Sequence, residues 1–170
     1  FTSATQQLKD SDLPAPIPVV GADDFSMRIT GVGGTGVVTV AQVIGAAATH
    51  MGLKVTGLDQ LGLAQKGGAV VSDVRISSTQ RPGSNRIGAG GCDLYLGFDS
   101  LVAATQSHLA VIAPQRTYTA VSTSATPPAP IVTALCAHLP PPQDLIDRLD
   151  CARTRPATIS VDAPLQLRTP

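Results

Sequence analysis

Two short stretches hold residue types whose spacing suits chemistry. Gly31-Val32-Gly33-Gly34-Thr35-Gly36 places glycines in a G-x-G-x-x-G pattern between a strand-like run and an apolar helical run. Bare backbone at 31 and 33 lets a turn close tightly and a pyrophosphate approach, while the free amides and positive end of the following helix attract an anion. Gln65-Lys66-Gly67-Gly68 puts a cation with three donors on backbone flexible enough to bring it and its amides against negative charge. Either loop has an ordinary explanation. A glycine corner serves helix-strand packing, and a loop lysine is usually just solvated. Two such loops on neighbouring strands are more informative than either alone.

The elements that must position them follow from the hydrophobic pattern. Met27 to Thr30 form a short strand leading into Gly31. After Gly36, Val37, Val40, Ile44, Ala47, Ala48 and Met51 recur at helical spacing, with Gly52 as the stop. A second strand over 53–59 ends on Asp59, about 20 residues beyond the glycines, where a dinucleotide enzyme keeps its ribose-binding acid. A third covers 69–77, with Val70, Val74 and Ile76 on one face and Asp73 and Arg75 on the other, so that second face is expected not to be deep core. Only nine residues, Gln60 to Gly68, separate these two strands. A parallel crossover with its helix needs about ten to twelve or more, so the third strand is expected to run antiparallel or pair elsewhere.

Residues 78–91 read as a loop, 92–99 as a buried strand, 100–110 as a helix and 116–124 as a further strand. An extended proline segment over 126–132, a helix over 140–150 and a strand over 157–163 complete the pattern, with another helix beginning at 164. The fold class is α/β: a Rossmann-like layered sheet, mostly parallel with at least one antiparallel strand, and helices on both faces. Residues 1–24 are polar and then proline-rich, as expected of a linker or the tail of an upstream domain, leaving 25–170 as the α/β domain.

Composition narrows the partners. Lys and Arg total 12, Asp and Glu total 12, and aromatic residues make up 3% of the 170-residue chain. Neither the charge footprint nor the stacking platforms of nucleic-acid binding are present, and no basic helix suits an anionic membrane. No apolar run approaches the ~20 residues of a membrane span, and no secretory leader is evident, so a cytoplasmic protein is expected. Cys92, Cys136 and Cys151 lack any C-x-x-C spacing and read as reduced thiols. His50, His108 and His138 stand far apart, so no metal site is assigned.

The pairing of "GVGGTGVVTVAQVIGAAA" (31–48) with "LDQLGLAQKGGAVVSDVRI" (58–76) resembles the gamma domain of the 2-oxoacid:ferredoxin oxidoreductases, within them the indolepyruvate ferredoxin oxidoreductase branch. The similarity runs from about Met27 through "CDLYLGFDSLVAA" (92–104) and "TYTAVSTSATP" (117–127), and the Gly-Leu-Ala-Gln-Lys-Gly-Gly run is its most specific part. Gln60-Leu61 depart from the branch's common Met-Thr, and beyond Pro140 the match is too loose to carry a site. The resemblance implies a domain that continues past Pro170. It also implies an enzyme that decarboxylates an arylpyruvate oxidatively on thiamine pyrophosphate, transfers the acyl group to coenzyme A and passes electrons through iron-sulfur clusters to ferredoxin.

This chain has no thiamine signature and no cluster-ligating cysteine set. Thiamine pyrophosphate, Mg and 4Fe-4S clusters are therefore expected in other domains or subunits, which would be its partners in an oligomer, with no catalytic residue here. By carry-over, Gly31, Gly33, Gly34, Thr35 and Gly36, with Gln65, Lys66, Gly67 and Gly68, would lie beside coenzyme A or the neighbouring thiamine subunit. Two alternatives stay open: a free-standing NAD(P)- or FAD-binding Rossmann module, and a pure subunit-interface domain whose glycines serve close packing.

Overall fold

The computed structural model describes residues 24–62, 68–79, 83–126, 140–151 and 159–161. Its sheet has six strands in the order β2-β3-β1-β4-β5-β6. These are β1 (Asp24–Val32), β2 (Lys54–Leu61), β3 (Ala69–Ser77), β4 (Leu94–Gly97), β5 (Tyr118–Ser122) and β6 (Ile159–Val161). Among the described residues four helices accompany them: α1 (Val37–His50), α2 (Ser100–Ala103), α3 (Gln106–Leu109) and α4 (Pro142–Cys151). β1, β4, β5 and β6 run parallel to one another. β3 lies antiparallel between β1 and β2, as the short connection requires.

The two faces of the sheet carry separate cores. Met27, Ile29, Val70 and Val74 pack with Val37 and Ala41 of α1. Their strand neighbours Arg28, Asp73 and Tyr95 point the other way, where Tyr95 and Val121 pack with Ala103 of α2 and Leu149 of α4. Helices thus cover both faces.

The first turns of α1 hold a β-branched run, Val37-Val38-Thr39-Val40, that disfavours a helix on its own; burial against the sheet supplies the stability. Val37 and Ala48 of the expected stripe are buried and Val40 and Ile44 pack against the core, but Ala47 and Met51 are exposed and Ala41 is buried instead. Small side chains suit this packing. A Cβ on Gly45 would stand 3.4 Å from Val55 Cγ1, so α1 sits close to the sheet there. Its end is closed as expected by Gly52 at φ 81°, with Gly52 N–H donating to Thr49 O at 2.9 Å and Leu53 N–H to Ala48 O at 3.0 Å.

Two expectations need correction. The Asp73 face of β3 is deep core: Asp73 is fully buried and takes the Arg28 guanidinium in two bonds, Nε–Oδ1 at 2.7 Å and Nη2–Oδ2 at 2.8 Å, plus the Ile87 N–H at 2.9 Å. An inward acid on β3 answers an inward base on β1, so polarity did not mean exposure. The helix expected over 100–110 is two short ones. Thr105 is extended between them, and the Val102 carbonyl, which accepts the Thr105 N–H at 3.2 Å, also lies 2.9 Å from His108 Nδ1.

The linker assigned to 1–24 lies outside the described residues except for Asp24, which opens β1. So do the proline segment beyond Thr126, the strand 157–163 apart from 159–161, and the helix expected from 164. No described helix is long and apolar enough to cross a membrane.

Burial opposes the charge on Arg28, but the hydrogen bonds and charge of Asp73 outweigh it and hold the guanidinium above its ordinary pKa. Removing one partner leaves the other uncompensated, which typically costs about 3–5 kcal/mol. Asp73→Ala is therefore expected to lower stability by that order in urea unfolding. The paired replacement Arg28→Met with Asp73→Leu should lose clearly less.

Candidate functional site

The glycine corner sits at the C-terminal end of β1. A Cβ on Gly31 would fall 2.6 Å from Thr35 Oγ1, 2.7 Å from Val37 Cγ2 and 3.2 Å from Phe98 Cβ, so this position admits no side chain. Thr35 fastens the turn, donating both its N–H (3.0 Å) and its hydroxyl (2.7 Å) to Val32 O. Gly34 and Gly36 adopt φ of 97° and 86°, left-handed values that favour glycine. Gly36 caps α1 without any side-chain hydrogen bond. The amides opening α1 therefore face outward as donors at the positive end of a helix.

The second loop returns to this corner. Gly33 N–H donates to Gly68 O at 3.0 Å, and that oxygen stands 3.8 Å from where a Gly33 Cβ would be. At the other end of the connection Gly62 N–H donates to Ala69 O at 2.9 Å, and a Cβ on Gly62 would approach that oxygen to 3.0 Å. Of the residues singled out from the sequence, Gly31, Gly33, Gly34, Thr35, Gly36 and Gly68 come together here. Gln65, Lys66 and Gly67 lie outside the described residues.

This arrangement differs from a dinucleotide turn in two respects. The Gly33 amide is already spent on Gly68, leaving Gly34, Gly36 and the first turn of α1 as the outward donors. Asp59, the candidate ribose acid, is separated from β1 by the intervening β3, about two strand spacings of ~4.8 Å. It accepts a 2.6 Å hydrogen bond from the buried Ser72 hydroxyl and stands level with Ile29 rather than with the corner.

Sequence reasoning missed the opposite wall. The chain leaves β1 toward β2 and leaves β4 toward β5, so the crevice between β1 and β4 is the point where strand order reverses, a usual place for ligands. Phe98 and Asp99 stand there at the end of β4, with Phe98 N–H held by Thr30 O at 2.7 Å. Asp99 braces the wall: Oδ1 accepts from Val102 N–H at 3.0 Å and Oδ2 from Thr126 N–H at 2.6 Å. An acid directly after a buried strand and before a small-residue helix is an N-cap signal that could have been read.

Cys92 is fully buried and unpaired, and burial pushes its thiol up to about 12, so it stays protonated through the neutral range. Cys136 and His138 lie outside the described residues, as does the side chain of Cys151. Among the described residues no group of three or more His, Cys, Asp or Glu is placed to hold a metal ion.

The sequence places this fold in a known class. The chain belongs to the pyruvate ferredoxin/flavodoxin oxidoreductase family, whose model matches residues 26–163. It is similar to the indolepyruvate oxidoreductase subunit IorB of Archaeoglobus fulgidus, 33% identical over 139 residues, covering 82% of this chain and 65% of that protein. The IorB subunit of Methanothermobacter thermautotrophicus is 32% identical over 80 residues, covering 47% of this chain and 39% of that subunit. The chain therefore spans between two fifths and two thirds of these curated relatives. The fold is shared with the 2-oxoglutarate:ferredoxin oxidoreductase of Magnetococcus marinus, a structure with 2-oxoglutarate, coenzyme A and succinyl-CoA bound. There the TM-score is 0.50 and the identity 23%, covering 62% of this chain and 18% of that one. These comparisons bear out the resemblance to the gamma domains read from the two loops.

Gly31→Ala is expected to cost about 1–3 kcal/mol, because the stiff β-branched Thr35 and Val37 cannot clear the new methyl. Gly33→Ala meets only ordinary contact and should stay within about 0.5 kcal/mol of wild type in the same denaturant titration. Iodoacetamide at about pH 8 should leave Cys92 unmodified in the folded protein and label it after denaturation, as read by peptide mass spectrometry.

Proposed function

We propose that this chain is the gamma-type domain of an indolepyruvate-type 2-oxoacid:ferredoxin oxidoreductase, contributing coenzyme A binding and subunit assembly to the oxidative decarboxylation of an arylpyruvate. The observation that carries this reading is the Gly33–Gly68 contact, which joins the two family loops at the C-terminal edge of β1. Around it the amides of Gly34, Gly36 and the first turn of α1 offer donors suited to a phosphate-bearing group, and Lys66, two residues before Gly68 in sequence, would add its charge. Coenzyme A when bound supplies the thiol that accepts the acyl group. The residues of this chain would bind and orient its phosphates.

Thiamine pyrophosphate, Mg and 4Fe-4S clusters belong, on this reading, to other domains or subunits, with ferredoxin as acceptor for the whole enzyme. Assembly draws support from large apolar side chains left exposed: Val43 (63%) and Met51 (78%) on α1 and its end, and Leu61 (68%) at the end of β2. A cytoplasmic location follows from the same reading.

The test uses the full-length enzyme carrying its thiamine cofactor and clusters. Lys66→Ala should raise the apparent KM for coenzyme A about tenfold, the loss expected of one charge-assisted phosphate contact, or weaken subunit association in sedimentation. No change in either would remove the role given to this loop. A dinucleotide-binding module remains the contrasting reading. Calorimetric titration separates the two, since micromolar binding of NAD or FAD without binding of coenzyme A would favour that module instead.

A further inference from the structure

At the other end of the strands from the glycine corner, on the face opposite α1, a cavity of about 400 Å³ opens between the 84–89 loop and the end of α3. Arg28 and Arg86 line it, with Ser84 and Ser107. Arg28 is only 3% exposed. A guanidinium carries five N–H donors in a fixed fork, and Asp73 engages it through Nε and Nη2. Among the described residues Nη1 has no acceptor, so a buried pair of donors is left unmet on a residue that lines the cavity. Such donors are costly unless water or a ligand meets them.

The remaining lining has the same character. Arg86 is exposed and has no carboxylate partner among the described residues. Ser84 Oγ accepts the Arg86 N–H at 3.1 Å, which leaves its own O–H free to donate. Among the described residues no Asp or Glu lines the cavity. Asp73 balances the charge of Arg28 from behind, so the uncompensated positive charge is that of Arg86.

We propose that this cavity binds the oxyanion group of a small molecule, a phosphate or a carboxylate, held between the inner edge of Arg28 and the guanidinium of Arg86. Arg28 supplies a preorganised, desolvated donor pair whose aim is fixed by Asp73. Arg86 supplies the charge that decides occupancy. The inference stands apart from the coenzyme A reading, because neither arginine belongs to the two glycine loops.

The experiment measures thermal unfolding and calorimetric binding of the full-length protein with inorganic phosphate and, separately, with succinate, at constant ionic strength set by chloride. Wild type should show a saturable rise in midpoint with at least one of them; phosphate alone or succinate alone identifies the group. Arg86→Met should weaken half-saturation about tenfold while leaving the midpoint without ligand unchanged, and Arg86→Lys should restore part of the loss. An absent response to both anions, or an equal response in wild type and Arg86→Met, overturns the proposal and leaves water as the partner of Arg28.

Discussion

The length of the connection between β2 and β3 constrains everything else in this molecule. With only Gln60 to Gly68 between the expected strands there is no room for a crossover helix, so β3 must turn straight back. The gap it fills lies between β1 and β2, where a doubly wound sheet would have paired those two strands directly. Three consequences follow from that one insertion. The start of β3 is delivered to the C-terminal end of β1, so Gly68 meets Gly33. Asp59 is carried away from the glycine corner and settles on Ser72. An inward acid on β3 comes opposite an inward base on β1, and the two make the buried pair of the second face.

Much of this was legible in the residues. The bounds of β3, the antiparallel turn and the glycine stop of α1 follow from alternation, chain length and the special φ of glycine. So does the need for a bare position at 31, although only the structure says which atoms crowd it. What escaped reading depends on long-range pairing. Asp73 in isolation looks like a solvent-facing residue on an alternating strand, and nothing local announces that Arg28, 45 positions earlier, will neutralise it. The expected stripe of α1 holds at Val37, Val40, Ile44 and Ala48 but not at its edges: hydrophobicity favoured Ala47 and Met51, which are exposed, and passed over the small Ala41, which the sheet buries. The break at Thr105 is accompanied by a histidine reaching back to a carbonyl, a contact that no periodicity encodes.

The candidate site was legible in a different sense. Its two loops stand apart in sequence, and each has an ordinary explanation taken singly. The family resemblance joined them, and the backbone contact at Gly33 and Gly68 gives that pairing a physical form. Phe98 and Asp99, which build the facing wall, went unread although Asp99 stands at an N-cap position, because that signal speaks of local structure rather than of a binding wall.

The bond between Gly33 and Gly68 runs from main chain to main chain. Alanine at either residue leaves both the donor and the acceptor in place, so alanine scanning would pass over the junction on which the corner depends. Removing the donor itself, by proline or by an ester in place of the residue 33 amide, would interrogate it. Where a loop position tolerates a side chain, its identity can drift while the seam persists.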